Sequence, residues 1–120
     1  MPKKTLVLGA SLNESRYSNI AIHRLRARSI PVVAFGLREG KVVDVTIDTD
    51  RQDYSDVDTV TLYLNPKRQQ EYYEYIIGLK PRRVIFNPGT ENMEFVSLLR
   101  ENGIESEIAC TLVLLSMNKY

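Results

Sequence analysis

The stretch Thr5-Leu6-Val7-Leu8-Gly9-Ala10-Ser11 decides the fold of this chain, because an apolar run ends there in three small residues. The run predicts a buried first β-strand, and a glycine at its tip lets the backbone approach a ligand. The helix that follows offers unpaired N–H groups to a phosphate. A dinucleotide fingerprint needs G-x-G-x-x-G, whereas its second and third glycine positions here hold Ser11 and Glu14. The stretch therefore favours nucleotide binding as a class and disfavours an ordinary NAD site.

Short apolar runs rich in β-branched residues alternate with helical patterns along the chain, which indicates βαβ units. We expect an α/β fold, Rossmann-like and doubly wound, with helices on both faces of a mainly parallel sheet. The predicted strands after the first are residues 32–35, 43–47, 59–64 and 83–86, which makes a five-stranded sheet, with residues 105–109 as a candidate sixth strand. Residues 1–120 are interpreted as a single domain, as their number allows.

Local signals mark several helix ends and turns. Ser18 is expected to cap the first helix through its hydroxyl. Asn65 and Pro66 predict a second helix start, since asparagine is a favoured N-cap and proline suits the first helical position. Residues 36–41 are expected to form a turn, and Gly103 to end the helix that follows Thr90.

Composition narrows the function classes. A formal net charge of +1 gives no electrostatic reason to expect nucleic-acid binding. The hydrophobic fraction of 43% is typical of a folded domain. No apolar run is long enough for a membrane span or, at residues 1–8, for a signal peptide. Cys110 is the only cysteine, which favours a reducing compartment and hence a cytoplasmic location. With one histidine, His23, at an unrelated position, no metal cluster or catalytic Cys-His pair is predicted.

Polar loops follow three of the predicted strands, at residues 11–17, 65–68 and 87–92. With a strand order of 3-2-1-4-5, the first two would face each other at the switch point, where open α/β sheets bind ligands. Arg68 lies in the first turn of its helix, where a bound anion would offset the unfavourable dipole. Arg38 follows the second strand in place of the acid that holds the NAD ribose, and it suits a phosphate on the adenosine ribose, as in NADP or coenzyme A.

Five segments taken in order carry a family resemblance. They are V-L-G-A-S at 7–11, Ser18-Asn19, T-V-T-L-Y-L-N-P at 59–66, V-I-F-N-P-G-T at 84–90 and I-A-C at 108–110. In these segments the chain resembles the small stand-alone coenzyme A-binding domain proteins, which are similar to the nucleotide-binding domain of the succinyl-CoA synthetase alpha subunit. The likeness runs from Lys4 to Cys110.

The resemblance implies a Rossmann-like fold that binds coenzyme A as a small-molecule nucleotide ligand, with no nucleic acid and no membrane as partner. It places the diphosphate near Ser11 and the helix at Ser18, the adenosine near residues 35–38, and the cavity walls at residues 64–66 and 87–89. The candidate binding residues are Gly9, Ala10, Ser11, Arg16, Ser18, Asn19, Phe35, Gly36, Arg38, Asn65, Pro66, Asn87, Pro88 and Gly89.

The sequence favours a non-enzymatic protein that binds coenzyme A or an acyl-CoA. It departs from the family pattern at three ligand-facing places, residues 34–37, Asn65 and residues 86–89. Two alternatives therefore stay open. One is a redox protein that binds NADP, and the other is a Rossmann-like interaction module that has lost its ligand. No residue identifies a protein partner or the acyl group.

Overall fold

A single mixed sheet organises the computed structural model, which describes residues 3–120. Within these residues seven strands form: β1 (Thr5–Ala10), β2 (Val32–Gly36), β3 (Gly40–Val42), β4 (Val45–Asp48), β5 (Thr59–Leu62), β6 (Arg83–Phe86) and β7 (Glu105–Ile108). The helices are α1 (Tyr17–Ala27), α2 (Pro66–Gln69), α3 (Tyr73–Leu79), α4 (Met93–Glu101) and α5 (Thr111–Ser116), with a 3₁₀ turn at Gln70–Tyr72 between α2 and α3. Met1 and Pro2, part of the segment for which no signal peptide is expected, lie outside the described residues.

The sheet order is β3-β4-β2-β1-β5-β6-β7, and only β3 and β4 pair antiparallel. The expected order 3-2-1-4-5 is confirmed as β4-β2-β1-β5-β6, and the candidate sixth strand is β7. On one side of β1 the sheet continues through β2 and β4 to β3, and on the other side it continues through β5 and β6 to β7. The switch point therefore lies where β1 meets β5, as a doubly wound fold requires.

The predicted strand over residues 43–47 is found as β4, but its predicted start at Val43 is wrong by two residues. The structure has a hairpin, with β3 and β4 joined at Val43 and Asp44, so that the expected turn at residues 36–41 already contains the start of β3. Val43 is exposed and has a φ of 59°, a conformation that β-branched residues rarely adopt. The apolar alternation runs on through this turn without a break, which is why the pattern concealed it.

Helix starts follow the sequence signals in one case and not in the other. Asn65 caps α2 with its side-chain oxygen, 2.9 Å from the backbone nitrogen of Arg68, and Pro66 is the first helical residue, as predicted. The expectation that Ser18 caps α1 is wrong. The cap position is Arg16, and Ser18 lies buried inside the first turn.

Two apolar layers hold the helices on opposite faces of the sheet. On one face α1 and α5 pack through Ile22, Leu25 and Leu115 against β1, β2 and β4. On the other face α3 and α4 cover β1, β5 and β6, with Phe95 fully buried. Helices on both faces are therefore confirmed. Among residues 3–120, no helix combines the length and apolarity that a bilayer crossing requires.

Candidate functional site

A cavity of about 850 Å³ opens at the carboxyl ends of β1, β2, β5 and β6, at the switch point. Its walls are the β1–α1 loop, the tip of β2, the β5–α2 turn and the β6–α4 loop. The lining residues are Gly9, Ala10, Ser11, Leu12, Asn13, Arg16, Tyr17, Ser18, Phe35, Gly36, Leu37, Arg38, Tyr63, Leu64, Asn65, Arg68, Tyr72, Pro88, Gly89 and Thr90.

The structure brings most of the predicted binding residues to this one cavity. The eleven that line it are Gly9, Ala10, Ser11, Arg16, Ser18, Phe35, Gly36, Arg38, Asn65, Pro88 and Gly89. The other three of the fourteen, Asn19, Pro66 and Asn87, do not line it. The three polar loops therefore converge as the topology predicts, because the carboxyl ends of parallel strands share one edge of the sheet.

The N-terminus of α1 faces the cavity through Arg16, Tyr17 and Ser18. No side chain within residues 3–120 caps it, whereas α2 and α4 are capped by Asn65 and Asn92. The backbone N–H groups of Tyr17 and Ser18 have no acceptor in the described chain. Unpaired N–H groups together with the positive end of the helix dipole form a binding place for an anion.

The β1–α1 loop is held in shape by its own hydrogen bonds. The Ser11 hydroxyl oxygen accepts from the backbone nitrogen of Asn13 at 3.1 Å, and Asn13 Oδ1 accepts from the backbone nitrogen of Ser15 at 3.0 Å. Asn19 Nδ2 donates to the Ser11 carbonyl at 2.9 Å. Asn19 thus braces the loop from behind, while the Ser11 hydroxyl hydrogen stays free to donate to a ligand.

Two glycines allow the strand tips to pack closely. Gly9 has a φ of +96°, and a Cβ there would lie 3.0 Å from the carbonyl carbon of Tyr63. A Cβ on Gly36 would lie 2.3 Å from the carbonyl oxygen of Ala10. Gly9 lines the cavity, but the close approach for which it is needed is to the backbone of Tyr63 rather than to a ligand.

Positive charge is concentrated in the cavity. Arg16, Arg38 and Arg68 line it, and its lining contains no aspartate or glutamate. Within residues 3–120 none of the three guanidinium groups forms an ion pair, whereas the whole chain carries a net charge of only +1. Lys67, next to Arg68, is not a lining residue. Three unpaired guanidinium groups favour a ligand with several negative charges.

The cavity also offers apolar surface. The Phe35 ring meets the Tyr72 ring edge-on at 5.6 Å, and both side chains are buried. At the rim Leu12, Tyr17 and Leu37 are exposed, Leu37 by 73%. An aromatic base or an aliphatic chain could cover these side chains, since exposed apolar groups gain from burial. Sequence reasoning placed Leu37 in this region and missed Leu12 and Tyr17, which stand alone in a polar loop.

Asn87, a predicted binding residue, is only 2% exposed and has its amide satisfied within the protein. Its Nδ2 donates to Thr61 Oγ1 at 2.7 Å and to the Leu62 carbonyl at 2.8 Å. Its Oδ1 accepts from the backbone nitrogen of Thr111 at 2.9 Å. Asn87 therefore supports the β6–α4 loop, and Pro66 likewise serves the start of α2.

Tyr63 is the lining residue with a markedly shifted ionisation. Burial raises the pKa of its phenol to about 12. Within residues 3–120 the Tyr63 oxygen makes no hydrogen bond, and the nearby hydroxyls of Thr61 and Thr111, which bond each other at 2.8 Å, only moderate the rise in its pKa. The phenol stays neutral at physiological pH. His23 and Cys110 lie outside the lining, on α1 and at the start of α5.

Comparison with known proteins identifies one family and several solved structures with the same fold. The model of the family described as "CoA binding domain" matches residues 3–116. A crystal structure of an uncharacterized protein is 48% identical, covers 100% of this chain and 99% of its own, and superposes with a TM-score of 0.97. A hypothetical protein from Pyrococcus horikoshii OT3 is 25% identical over 97% of this chain and 83% of its own, with a TM-score of 0.86. A Thermus thermophilus structure, 20% identical over 99% and 91%, has a TM-score of 0.86 and shows the shared fold. No curated protein matches the chain.

Proposed function

Because the chain belongs to the CoA binding domain family, we propose that it binds coenzyme A, free or acylated, in the cavity at the switch point and holds it without chemical change. The observation that carries this proposal is the uncapped N-terminus of α1, which faces a cavity lined by three unpaired arginines. Coenzyme A carries a diphosphate and a ribose phosphate, so this combination of charges suits it.

We place the parts of the ligand by matching their chemistry to the walls. The diphosphate lies against the N–H groups of Tyr17 and Ser18, with Arg16 beside it. The adenosine lies at the tip of β2, where Arg38 holds the ribose phosphate. The pantetheine chain runs between the β5–α2 turn and the β6–α4 loop, over the apolar faces of Leu64 and Tyr72.

The lining groups suit binding rather than catalysis. They include hydroxyls, amides and guanidinium groups, which orient an anion through hydrogen bonds and charge. The remaining lining side chains are apolar. The Tyr63 phenol, with its pKa raised to about 12 by burial, is too weak an acid to exchange protons near neutral pH. We also propose a cytoplasmic location, since the single cysteine suits a reducing compartment.

Thermal unfolding with coenzyme A, dephospho-coenzyme A, NADP and NAD, after any co-purified ligand is stripped, tests the proposal. At about 100 times its dissociation constant a ligand adds roughly 2.7 kcal/mol, which raises the melting temperature by about 10 °C in a domain of this size. A shift with coenzyme A is expected. A shift with NADP alone would favour a redox protein, and no shift with any of them would favour an interaction module.

A charge variant makes the test specific to the site. Arg16→Gln removes a guanidinium at the α1 N-terminus and should reduce the shift with coenzyme A. Arg24→Gln is the matched control, because Arg24 is an exposed arginine of the same helix outside the cavity lining. Equal shifts in the two variants would contradict the placement of the diphosphate.

A further inference from the structure

The β5 and β6 strands part just before they reach the cavity. Their pairing ends at Leu62 and Phe86. Beyond these residues the two segments form separate walls of the cavity. Leu64 lies in one wall and Thr90 in the other. No backbone hydrogen bond joins these walls within the described chain, so the ladder that sets the strand spacing is missing where the cavity begins.

A buried amide spans the gap. Gln69, at the end of α2, is 0% exposed. Its Nε2 donates to the Leu64 carbonyl at 2.9 Å and to the Thr90 carbonyl at 2.8 Å. Both amide hydrogens are therefore used, one on each wall. The opposite amide orientation would point an oxygen at two carbonyl oxygens, so the chemistry of the site fixes the orientation.

The other end of the amide is anchored as well. Gln69 Oε1 accepts from Asn92 Nδ2 at 3.0 Å, and the same Nδ2 donates to the Tyr73 hydroxyl at 2.8 Å. Asn92 Oδ1 caps α4 by accepting from the backbone nitrogen of Phe95 at 3.1 Å. The amide of Gln69 is thus tied to α3 and α4 through a buried network, and such satisfied networks are rigid.

We propose that Gln69 is a positioning residue that sets the spacing of the two cavity walls and thereby the affinity for the ligand. It acts through the carbonyl groups of Leu64 and Thr90. Leu64 and Thr90 are lining residues of the cavity, whereas Gln69 is not. The part of this inference that concerns affinity rests on the proposed binding of coenzyme A. The part that concerns wall spacing stands on the hydrogen bonds alone.

Gln69→Met tests the inference, because methionine has a similar length and no amide. Gln70→Met is the matched control, since Gln70 is the next residue, is exposed and makes no side-chain hydrogen bond in the described chain. Titration calorimetry with coenzyme A, far below the unfolding temperature, measures the affinity of the folded protein only. We expect Gln69→Met to raise Kd about tenfold, because the ligand must then itself hold the walls at the binding distance, at a cost on the order of one lost hydrogen bond, and Gln70→Met to leave it unchanged.

Amide hydrogen exchange in the ligand-free protein measures how readily the cavity walls open locally. The Thr90 amide, bonded to the Asn87 carbonyl at 2.9 Å, should exchange about tenfold faster in Gln69→Met, as local opening becomes easier. The amides of Leu6 and Val84 in the central strands exchange through global unfolding, so their rates measure any loss of overall stability and separate it from local opening at Thr90.

Asn92→Asp provides a second variant should Gln69→Met fail to fold. It keeps the oxygen that accepts from the Phe95 backbone nitrogen and removes the Nδ2 donor to Gln69. We therefore expect Kd to rise and the Thr90 amide to exchange faster, as in Gln69→Met. An unchanged Kd in the folded variants, with or without faster exchange, would overturn the role in affinity. If the wild-type protein does not bind coenzyme A, the proposed function fails, and the Thr90 exchange rate alone then decides whether Gln69 holds the walls.

Discussion

Gly36→Ala is expected to destabilise the fold at the floor of the cavity. Gly36 ends β2 and pairs with Ala10 just beyond the irregularity in β1. An added Cβ would lie 2.3 Å from the Ala10 carbonyl oxygen and 3.1 Å from a methyl group of Ile47. Ordinary contacts are about 3.5 Å, so the two strand tips would have to part by about 1 Å. Both are backbone segments held in the sheet and cannot turn aside.

Overpacking of this kind costs about 1–3 kcal/mol. For a domain of this size each kcal/mol lowers the melting temperature by about 4 °C, so we expect a fall of about 4–12 °C. The spacing of the strand tips also shapes the cavity floor, and the affinity for coenzyme A should fall with it.

Gly78→Ala is the control, because it makes the same change in a helix. Gly78 lies in α3, and a Cβ there would meet nothing within 4 Å. Replacing a helical glycine with alanine gains about 0.5–1 kcal/mol, so this variant should melt about 2–4 °C higher. Thermal unfolding followed by circular dichroism measures both. A Gly36→Ala protein as stable as the wild type, or a destabilised Gly78→Ala protein, would refute this reasoning about the strand tips.

Three further substitutions test other parts of the account. Arg38→Gln should raise the calorimetric Kd for coenzyme A about tenfold and that for dephospho-coenzyme A little, because a charge-assisted contact with the ribose phosphate is lost; equal losses would contradict this role of Arg38. Tyr63→Phe should stabilise the fold by up to about 1 kcal/mol in urea unfolding at pH 7, because the buried phenol oxygen has no hydrogen-bond partner among residues 3–120. Burial raises the Tyr63 pKa from about 10 to about 12, so the unfolded chain ionises at a lower pH than the folded protein does. The wild type therefore loses stability between about pH 10 and pH 12, and the variant should lose less over that range; parallel losses would speak against the burial effect. Asn65→Ala should cost about 1 kcal/mol of unfolding free energy by removing the cap on the Arg68 N–H, and an unchanged value would show that the cap is dispensable.

Residue preferences at individual positions predicted correctly those element ends that depend only on neighbouring residues. Asn65 and Pro66 start α2 where the capping and proline preferences indicate. The alternation of strand and helix patterns indicated a doubly wound sheet, and the usual strand order of such a sheet was the one found, because the fold allows few alternatives. The convergence of three polar loops on one cavity followed from that topology.

The features of the structure that the sequence did not predict depend on contacts between residues far apart in the chain. Val43 adopts a φ of 59° in the β3–β4 turn, and no local preference of valine indicates it. The helix after Asn65 is interrupted by a 3₁₀ turn at Gln70–Tyr72, where Tyr72 is buried against Phe35. The roles of Asn87 and Gln69 depend on carbonyl groups of other segments, so only the folded chain reveals them.

The departures from the family pattern gain a physical explanation at residues 34–37. The tip of β2 needs glycine at position 36, because Ala10 leaves no room for a side chain. Phe35 fills the floor of the cavity beside Tyr72, and Leu37 is left exposed at its rim. The part of this wall formed by Phe35 and Gly36 is therefore closely packed, a result of side-chain sizes in neighbouring strands.

A titration of ¹⁵N-labelled protein with coenzyme A, followed by amide chemical shifts, tests the central claim most directly. If coenzyme A binds at the uncapped end of α1, the largest shifts will fall on the amides of Tyr17, Ser18, Gly36 and Gly89, and the amide of Lys41 in the β3–β4 hairpin will not move. Saturating coenzyme A that leaves these four amides unshifted, or shifts the hairpin instead, would contradict the account.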